Sequence, residues 1–134
     1  MEHQFELHRI GYNFVHENGV NIDRKNGTDD YLLLYLKSNV TILTEEGEIT
    51  TAEPSFILYE KGFHQKYYDR EGPFINDWMH FDREDAKEFF QSIDIPVNKL
   101  MVLQGAKDIS AMIQDIRVAV SYTHLRAHET DQYL

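Results

Sequence analysis

Cysteine is absent from the sequence, which excludes a disulfide framework and any metal site built on thiolates. Long apolar runs are also absent, because the longest, Tyr31–Leu36, is far shorter than the roughly 20 residues that a membrane-spanning helix needs. The first six residues, MEHQFE, contain neither the basic nor the apolar region of a signal peptide. These absences predict a soluble, cytoplasmic protein with no membrane partner.

Positive charge is scarce. There are 13 lysine and arginine residues against 23 aspartate and glutamate residues, so the formal net charge is −10. A chain that repels phosphate on average, and that has no run of basic residues, is not expected to bind DNA by itself. The sequence also has no G-x-S-x-G motif and no glycine-rich phosphate loop. It is therefore not predicted to be an enzyme.

Short strands dominate the first eighty residues. Alternating or fully apolar runs predict strands at 5–14, 20–22, 31–36, 40–43, 49–52, 56–59, 63–68 and 74–81. The segment Glu45-Glu46-Gly47-Glu48 joins two of them and predicts a hairpin with a positive φ at Gly47. Many short strands with frequent turns predict a mainly β sandwich or small barrel.

The Tyr31–Leu36 strand, YLLLYL, is apolar on both sides, which predicts burial of both faces. Because side chains alternate along a strand, one face holds Leu32, Leu34 and Leu36. The opposite face holds Tyr31, Leu33 and Tyr35.

The spacing of apolar residues changes after Asp82, which is a good helix N-cap. Ala86, Phe89, Phe90 and Ile93 follow helical spacing, and Ile109, Met112, Ile113 and Ile116 repeat it after the break at Pro96. Residues 83–119 are therefore predicted to be a helical segment. Its second helix is predicted to form a homodimer interface, with simple coverage of the β domain as the alternative.

Residues 120–130, VSYTHLRAHET, resemble the translation of a sequencing-library transposase adapter. We therefore expect 120–134 to be an artefact and exclude it from the fold prediction. His124 and His128, four residues apart, are accordingly not taken as a metal site, and the natural protein is expected to continue differently beyond residue 119.

The segment from Tyr31 to Phe81 resembles the arabinose-binding-like cupin domain of AraC-family transcription regulators. The matching features are the YLLLYL strand, the FILY strand at 56–59, the His64 and Tyr67 pair and, above all, Trp78-Met79-His80-Phe81. The chain departs from the family pattern in three turns, at Asn39, at 53–54 and at Glu60. The resemblance implies a cupin-like double-stranded β-helix, or jelly-roll, barrel over residues 1–82, followed by two C-terminal α-helices.

The resemblance also implies a function. Regulators of this family bind a small effector, often a sugar, inside the barrel, and the effector changes how a homodimer presents its DNA-binding domains. The chain would then be the effector-sensing and dimerisation domain. DNA would be bound only through a C-terminal helix-turn-helix domain, which is absent from this sequence.

Alternation along the strand at 74–81 places Phe74, Asn76, Trp78 and His80 on one face. Trp78 and His80 are predicted to bind the effector, since a sugar needs an aromatic surface and hydrogen-bonding groups. Tyr31, Tyr35, Arg9 and His64 are further candidates for the ligand site. The alternative is that the aromatic residues only fill the core and that Arg9 is solvent-exposed.

No metal and no cofactor are predicted. Cupin metalloenzymes hold their metal with an H-x-H pair, a glutamate and a later histidine; His64 lies near the place of that histidine, but no H-x-H occurs here. A metal site needs about three protein ligands. A small metal-dependent cupin enzyme, either an isomerase or a dioxygenase, and a stand-alone carbohydrate-binding module are therefore kept as alternatives.

Overall fold

The computed structural model describes residues 5–52, 54–92 and 94–102. These residues are mainly β, as the sequence predicts, and they form two antiparallel sheets with one short helix. The elements are β1 (Phe5–His16), β2 (Val20–Arg24), β3 (Tyr31–Leu36), β4 (Val40–Thr44), β5 (Gly47–Thr51), β6 (Ser55–Tyr59), β7 (Gln65–Asp69), β8 (Phe74–Arg83), α1 (Ala86–Ser92) and β9 (Leu100–Val102).

The strands pair in a nested order. One sheet has the order β1-β8-β3-β6-β9, and the other has the order β2-β7-β4-β5. Consequently β1 pairs with β8, β2 with β7, β3 with β6 and β4 with β5, all antiparallel. The first two and the last two strands of this nested set therefore lie close together. The β1–β8 pair is in one sheet, and the β2–β7 pair is opposite it in the other sheet.

The main core lies between the two sheets. Its buried members come from both of them: Val20, Leu32, Leu34, Leu36, Val40, Ile42, Ile57, Tyr59, Tyr67 and Phe74. Leu34 and Ile57 are fully buried neighbours in paired strands. The phenol of Tyr59 donates a 2.5 Å hydrogen bond to the backbone carbonyl of Leu43, which joins one sheet to the other. The apolar face predicted for Leu32, Leu34 and Leu36 is thus confirmed.

A second core covers the outer face of the five-stranded sheet. It contains Leu33, Tyr35, Phe56, Leu58, Met79, Phe81, Ala86 and Phe90. Helix α1 contributes Ala86 and Phe90, and the Phe90 ring packs edge-on against Phe81 with centroids 5.7 Å apart. The opposite face predicted for Tyr31, Leu33 and Tyr35 is therefore confirmed. Burial of both faces explains why β3 is apolar throughout.

Most of the predicted strands are confirmed, and Gly47 has the expected positive φ, at 107°. The start of the helix differs from the prediction. Asp82 belongs to β8, and its carboxylate pairs with Lys61 at 2.7 Å. The helix begins only at Ala86. No helix within the described ranges is long and apolar enough to cross a bilayer.

The segment 83–119, predicted to be helical, contains a strand. Residues Leu100–Val102 form β9, which extends the five-stranded sheet beside β6. A three-residue edge strand is too short to produce a recognisable period in the sequence. The predicted interface residues Ile109, Met112, Ile113 and Ile116, and the adapter-like stretch 120–134, lie outside the described residues.

Candidate functional site

An open cleft of about 190 Å³ lies between the two sheets. It is lined by Arg9, Phe14, His16, Ile22, Arg24, Leu32, Tyr67, Asn76, Trp78 and His80. These residues belong to β1, β3 and β8 of one sheet and to β2 and β7 of the other. The cleft therefore depends on the nested pairing, which brings β1 and β2 together with β7 and β8.

Aromatic rings form the apolar wall of the cleft. The Trp78 indole makes edge-on contacts with the ring of Phe14, at 6.2 Å between centroids, and with the imidazole of His80, at 5.8 Å. Phe14 is 46% exposed, although it is a large apolar side chain. The faces of the indole and of the exposed phenyl ring are apolar surfaces on which a small ring compound can pack.

Trp78 occupies its position because Gly11, its partner on β1, has no side chain. A methyl group added at Gly11 would overlap the Cε2, Nε1 and Cζ2 atoms of the indole. The ring therefore lies across the backbone of β1, in space that any other residue at position 11 would fill.

The substitution Gly11→Ala should displace the indole. We expect the free energy of unfolding to fall by about 1–3 kcal/mol, the usual cost of overpacking. Because Trp78 is the only tryptophan, the same substitution should shift the intrinsic fluorescence emission. In the control Gly47→Ala, the strained φ should reduce stability but leave the emission of folded protein unchanged. Equal emission spectra for the wild type and Gly11→Ala would contradict this packing.

A β-bulge in β1 directs Arg9 into the cleft. Leu7 pairs with Phe81 and Arg9 pairs with His80, so His8 is an extra residue between them. Simple alternation would put Leu7 and Arg9 on the same face. Instead, Leu7 packs on the outer core while Arg9 lines the cleft.

The bulged residue His8 and His80 of β8 bind the same carboxylate. Asp30 accepts a hydrogen bond from Nδ1 of His8 at 2.8 Å on one oxygen and from Nδ1 of His80 at 3.0 Å on the other. The Thr28 hydroxyl adds a third, at 2.8 Å. Burial raises the pKa of Asp30, but these three hydrogen bonds outweigh it and lower the pKa to about 2. Asp30 is therefore an anion at neutral pH.

His80 is held as a neutral imidazole with a defined tautomer. Burial lowers the pKa of His80, and this outweighs the opposite effect of the hydrogen bond to Asp30. Because an ionised carboxylate can only accept, Nδ1 of His80 carries the proton. Its Nε2 atom is then a hydrogen-bond acceptor on a residue that lines the cleft.

A second chain of hydrogen bonds fixes Arg24. The side chain of Gln65 is fully buried, and its oxygen accepts a hydrogen bond from the Arg24 guanidinium at 3.0 Å. Its nitrogen donates to the Thr28 hydroxyl at 3.0 Å, and that hydroxyl donates to Asp30. The neutral side chains of Gln65 and Thr28 thus connect Arg24 to Asp30. The guanidinium has further N–H donors that can bind a ligand.

Asn76 has an unsatisfied polar atom. It is 2% exposed and lines the cleft, and its side-chain oxygen accepts no hydrogen bond from any residue that the structure describes. A buried polar group without a partner costs about 1–3 kcal/mol. The amide is therefore well placed to receive a hydrogen bond from a ligand.

A larger hollow, of about 560 Å³, lies around β7 and residues 18–21, where the chain enters β2. Lys66 and Glu48 of this hollow already pair with each other at 2.8 Å, and the Tyr68 hydroxyl donates to the same carboxylate at 3.2 Å. Asp69 accepts hydrogen bonds from the backbone of the following turn. The smaller cleft is the better candidate site. Its Asn76 side-chain oxygen has no hydrogen-bond partner among the described residues, and the guanidiniums of Arg9 and Arg24 make no ion pair with them.

The structure brings three of the predicted ligand residues together and separates the other three. Arg9, Trp78 and His80 line the cleft. Tyr31 and Tyr35 lie on the outer face of the sheet, where Tyr31 stacks on Phe81 at 5.8 Å. His64 lies just before β7, with its side chain 36% exposed and hydrogen-bonded to Asp23.

Sequence reasoning did not select Arg24 or Tyr67 for the site. Both lie on the inward face of their strands: Arg24 follows Val20 and Ile22 at a spacing of two, and Tyr67 follows the buried Gln65. Strand alternation could therefore have identified them. What the sequence lacked was the information that β2 and β7 lie opposite β8.

Within the described ranges, no group of three histidine, aspartate or glutamate side chains is arranged to hold a metal ion.

Comparison of the sequence with known protein families finds no match, and no curated protein is significantly similar to it.

Proposed function

We propose that this chain is the effector-sensing domain of an AraC-type transcription regulator, in which a small molecule bound between the sheets controls DNA binding by a separate helix-turn-helix domain. The effector class that fits this proposal is a sugar or a sugar derivative. Dimerisation through Ile109, Met112, Ile113 and Ile116 is part of the proposal, although those residues lie outside the described part of the chain.

The strand order supports a cupin-like jelly roll. A jelly roll distributes eight strands over two sheets by folding a long antiparallel ribbon onto itself. Pairing of β1 with β8, β2 with β7, β3 with β6 and β4 with β5 has this nested form. The short β9 is an addition at the edge of one sheet.

The observation that carries the proposal is the two-sided environment of β8. Trp78 and His80 line the cleft, whereas Met79 and Phe81, the alternate residues, pack in the outer core with Ala86 and Phe90 of α1. A ligand that shifts Trp78 therefore acts on a strand whose other face supports a helix. Such coupling is a physical route by which ligand binding can bias the arrangement of helices.

A thermal-shift screen of sugars and small metabolites tests the proposal. A ligand at a hundred times its dissociation constant stabilises the folded state by about 2.7 kcal/mol, a rise in Tm on the order of 10 °C. We expect Trp78→Ala to abolish the rise and Phe89→Ala, which removes a ring outside the cleft, to retain it. A hit that stabilises wild type and Trp78→Ala equally, or a screen without any hit, would count against the proposal.

A further inference from the structure

The charge of the cleft is opposite to that of the protein. Among the described residues that line it, Arg9 and Arg24 carry charge and none is a carboxylate, although acidic residues outnumber basic ones by 23 to 13 in the whole sequence. Cationic groups that face a small, partly enclosed volume repel one another more strongly than they would in water. A bound anion would relieve that repulsion.

The two guanidiniums come from opposite sides of the cleft. Arg9 is on β1 in one sheet and Arg24 is on β2 in the other. Their positions converge on His80, whose pKa is lowered first by burial and then further by the charges of both arginines. Within residues 5–52, 54–92 and 94–102, neither guanidinium makes an ion pair.

The nearby carboxylate is already occupied. Asp30 uses both oxygens to bind His8 and His80, and one of them also accepts from Thr28. Arg24 is held instead by the neutral Gln65 amide, which positions the guanidinium without neutralising it. The site therefore keeps its two guanidinium charges available to a ligand.

We propose that the cleft binds a small ring compound bearing an oxyanion, either a carboxylate or a phosphate, with the oxyanion between Arg9 and Arg24, the ring on Trp78 and a hydroxyl on Asn76. This inference rests on the proposed function and names the ligand class of the same site. Arginine suits both oxyanions because its planar fork can donate two parallel hydrogen bonds. The volume of about 190 Å³, below the roughly 300 Å³ of pockets for drug-sized ligands, limits the ligand to about one ring.

The test measures binding of five probes to the full chain by Trp78 fluorescence and thermal shift. Benzoate and inorganic phosphate test the anion, glucose tests the neutral ring, and glucuronate and glucose 6-phosphate combine the two. We expect at least one oxyanion probe to bind about tenfold or more tightly than glucose, since charge-assisted hydrogen bonds are the stronger ones. Preference between glucuronate and glucose 6-phosphate then distinguishes a carboxylate ligand from a phosphate ligand.

Four variants locate the binding. Arg9→Ala and Arg24→Ala should each weaken the oxyanion probe about tenfold. Arg70→Ala, which removes one exposed positive charge from the larger hollow, should leave it unchanged. Arg24→Lys keeps the charge but loses the planar guanidinium that donates two parallel hydrogen bonds. We expect it to weaken binding of the oxyanion probe by less than Arg24→Ala does. It also serves as the second variant if Arg24→Ala fails to fold.

Two results would overturn the inference. If glucose binds as tightly as glucuronate, and binding survives both arginine-to-alanine substitutions, the cleft binds a neutral ligand and the proposed function stands without the anion. If no oxyanion probe binds wild type more tightly than Arg9→Ala and Arg24→Ala, the anion site is wrong. The proposed function is then decided independently by the metabolite screen and Trp78→Ala.

Discussion

Substituting Asp30→Asn should lower the free energy of unfolding by about 2 kcal/mol at neutral pH. The carboxylate has a pKa of about 2 in the folded protein, against an ordinary value of 3.8. Each unit of pKa difference corresponds to 1.36 kcal/mol. The neutral variant loses this contribution, and the Nδ1–H groups of His8 and His80 lose their charged acceptor.

The pH dependence follows from the sign of the shift. Because the folded pKa of Asp30 lies below the unfolded value, its contribution is complete above about pH 5 and is lost as the pH falls toward 2. The difference between wild type and Asp30→Asn should therefore fall to about half its neutral value near pH 3. Urea unfolding of both proteins across this range measures the difference directly.

Asp29→Asn is the matched control for the Asp30 experiment. Asp29 is the adjacent residue and is exposed, so its substitution should change the stability by no more than about 0.5 kcal/mol. A stability difference for Asp30→Asn that does not change between neutral pH and about pH 3 would show that the carboxylate charge is not the cause. Equal effects at positions 29 and 30 would contradict the network altogether.

The largest effect is expected from Lys37→Met, at about 3 kcal/mol of lost stability. Asp77 is fully buried, and the Lys37 ammonium lies 2.8 Å from its carboxylate. Removing Lys37 takes a positive charge away from a buried carboxylate, which costs more than the pair itself contributes. Methionine keeps most of the stem of the lysine side chain, so the measurement isolates the charge.

This ion pair also shapes the cleft. The same oxygen of Asp77 accepts a 2.6 Å hydrogen bond from the backbone N–H of Asn13, which has a positive φ of 55°. Asn13 lies in the second irregularity of β1, between Gly11 and Phe14. Loss of Lys37 should therefore loosen the segment that presents Phe14 beside Trp78, and the fluorescence of Trp78 should report that change.

Lys61→Met provides the control for the Lys37 variant. Lys61 pairs with Asp82 at a similar distance of 2.7 Å, but their side chains are 45% and 27% exposed. Exposed pairs contribute only about 0–1 kcal/mol, so this variant should be nearly as stable as wild type. In a double-mutant cycle, Lys37→Met combined with Asp77→Asn should cost clearly less than the sum of the single substitutions. Additive losses would show that the two residues are not coupled.

The sequence alone determined the mainly β class, most of the strand positions and the faces of β3 and β8. Those features are local: a period of two appears within a single strand, and Gly47 marks its turn whatever the rest of the chain does. For this reason Trp78 and His80 were placed correctly on one face of β8. The same reasoning already separated Tyr31 and Tyr35 from Leu32 and Leu34.

Tertiary structure alone decided which faces meet. Tyr31 and Tyr35 lie on the outer face of the five-stranded sheet rather than in the cleft, and Arg24 reaches the cleft because β2 lies in the opposite sheet. The bulge at His8 turns Arg9 inward against the simple alternation. Strand pairing joins residues far apart in the chain, and a bulge depends on the partner strand, so neither has a local signature in the sequence.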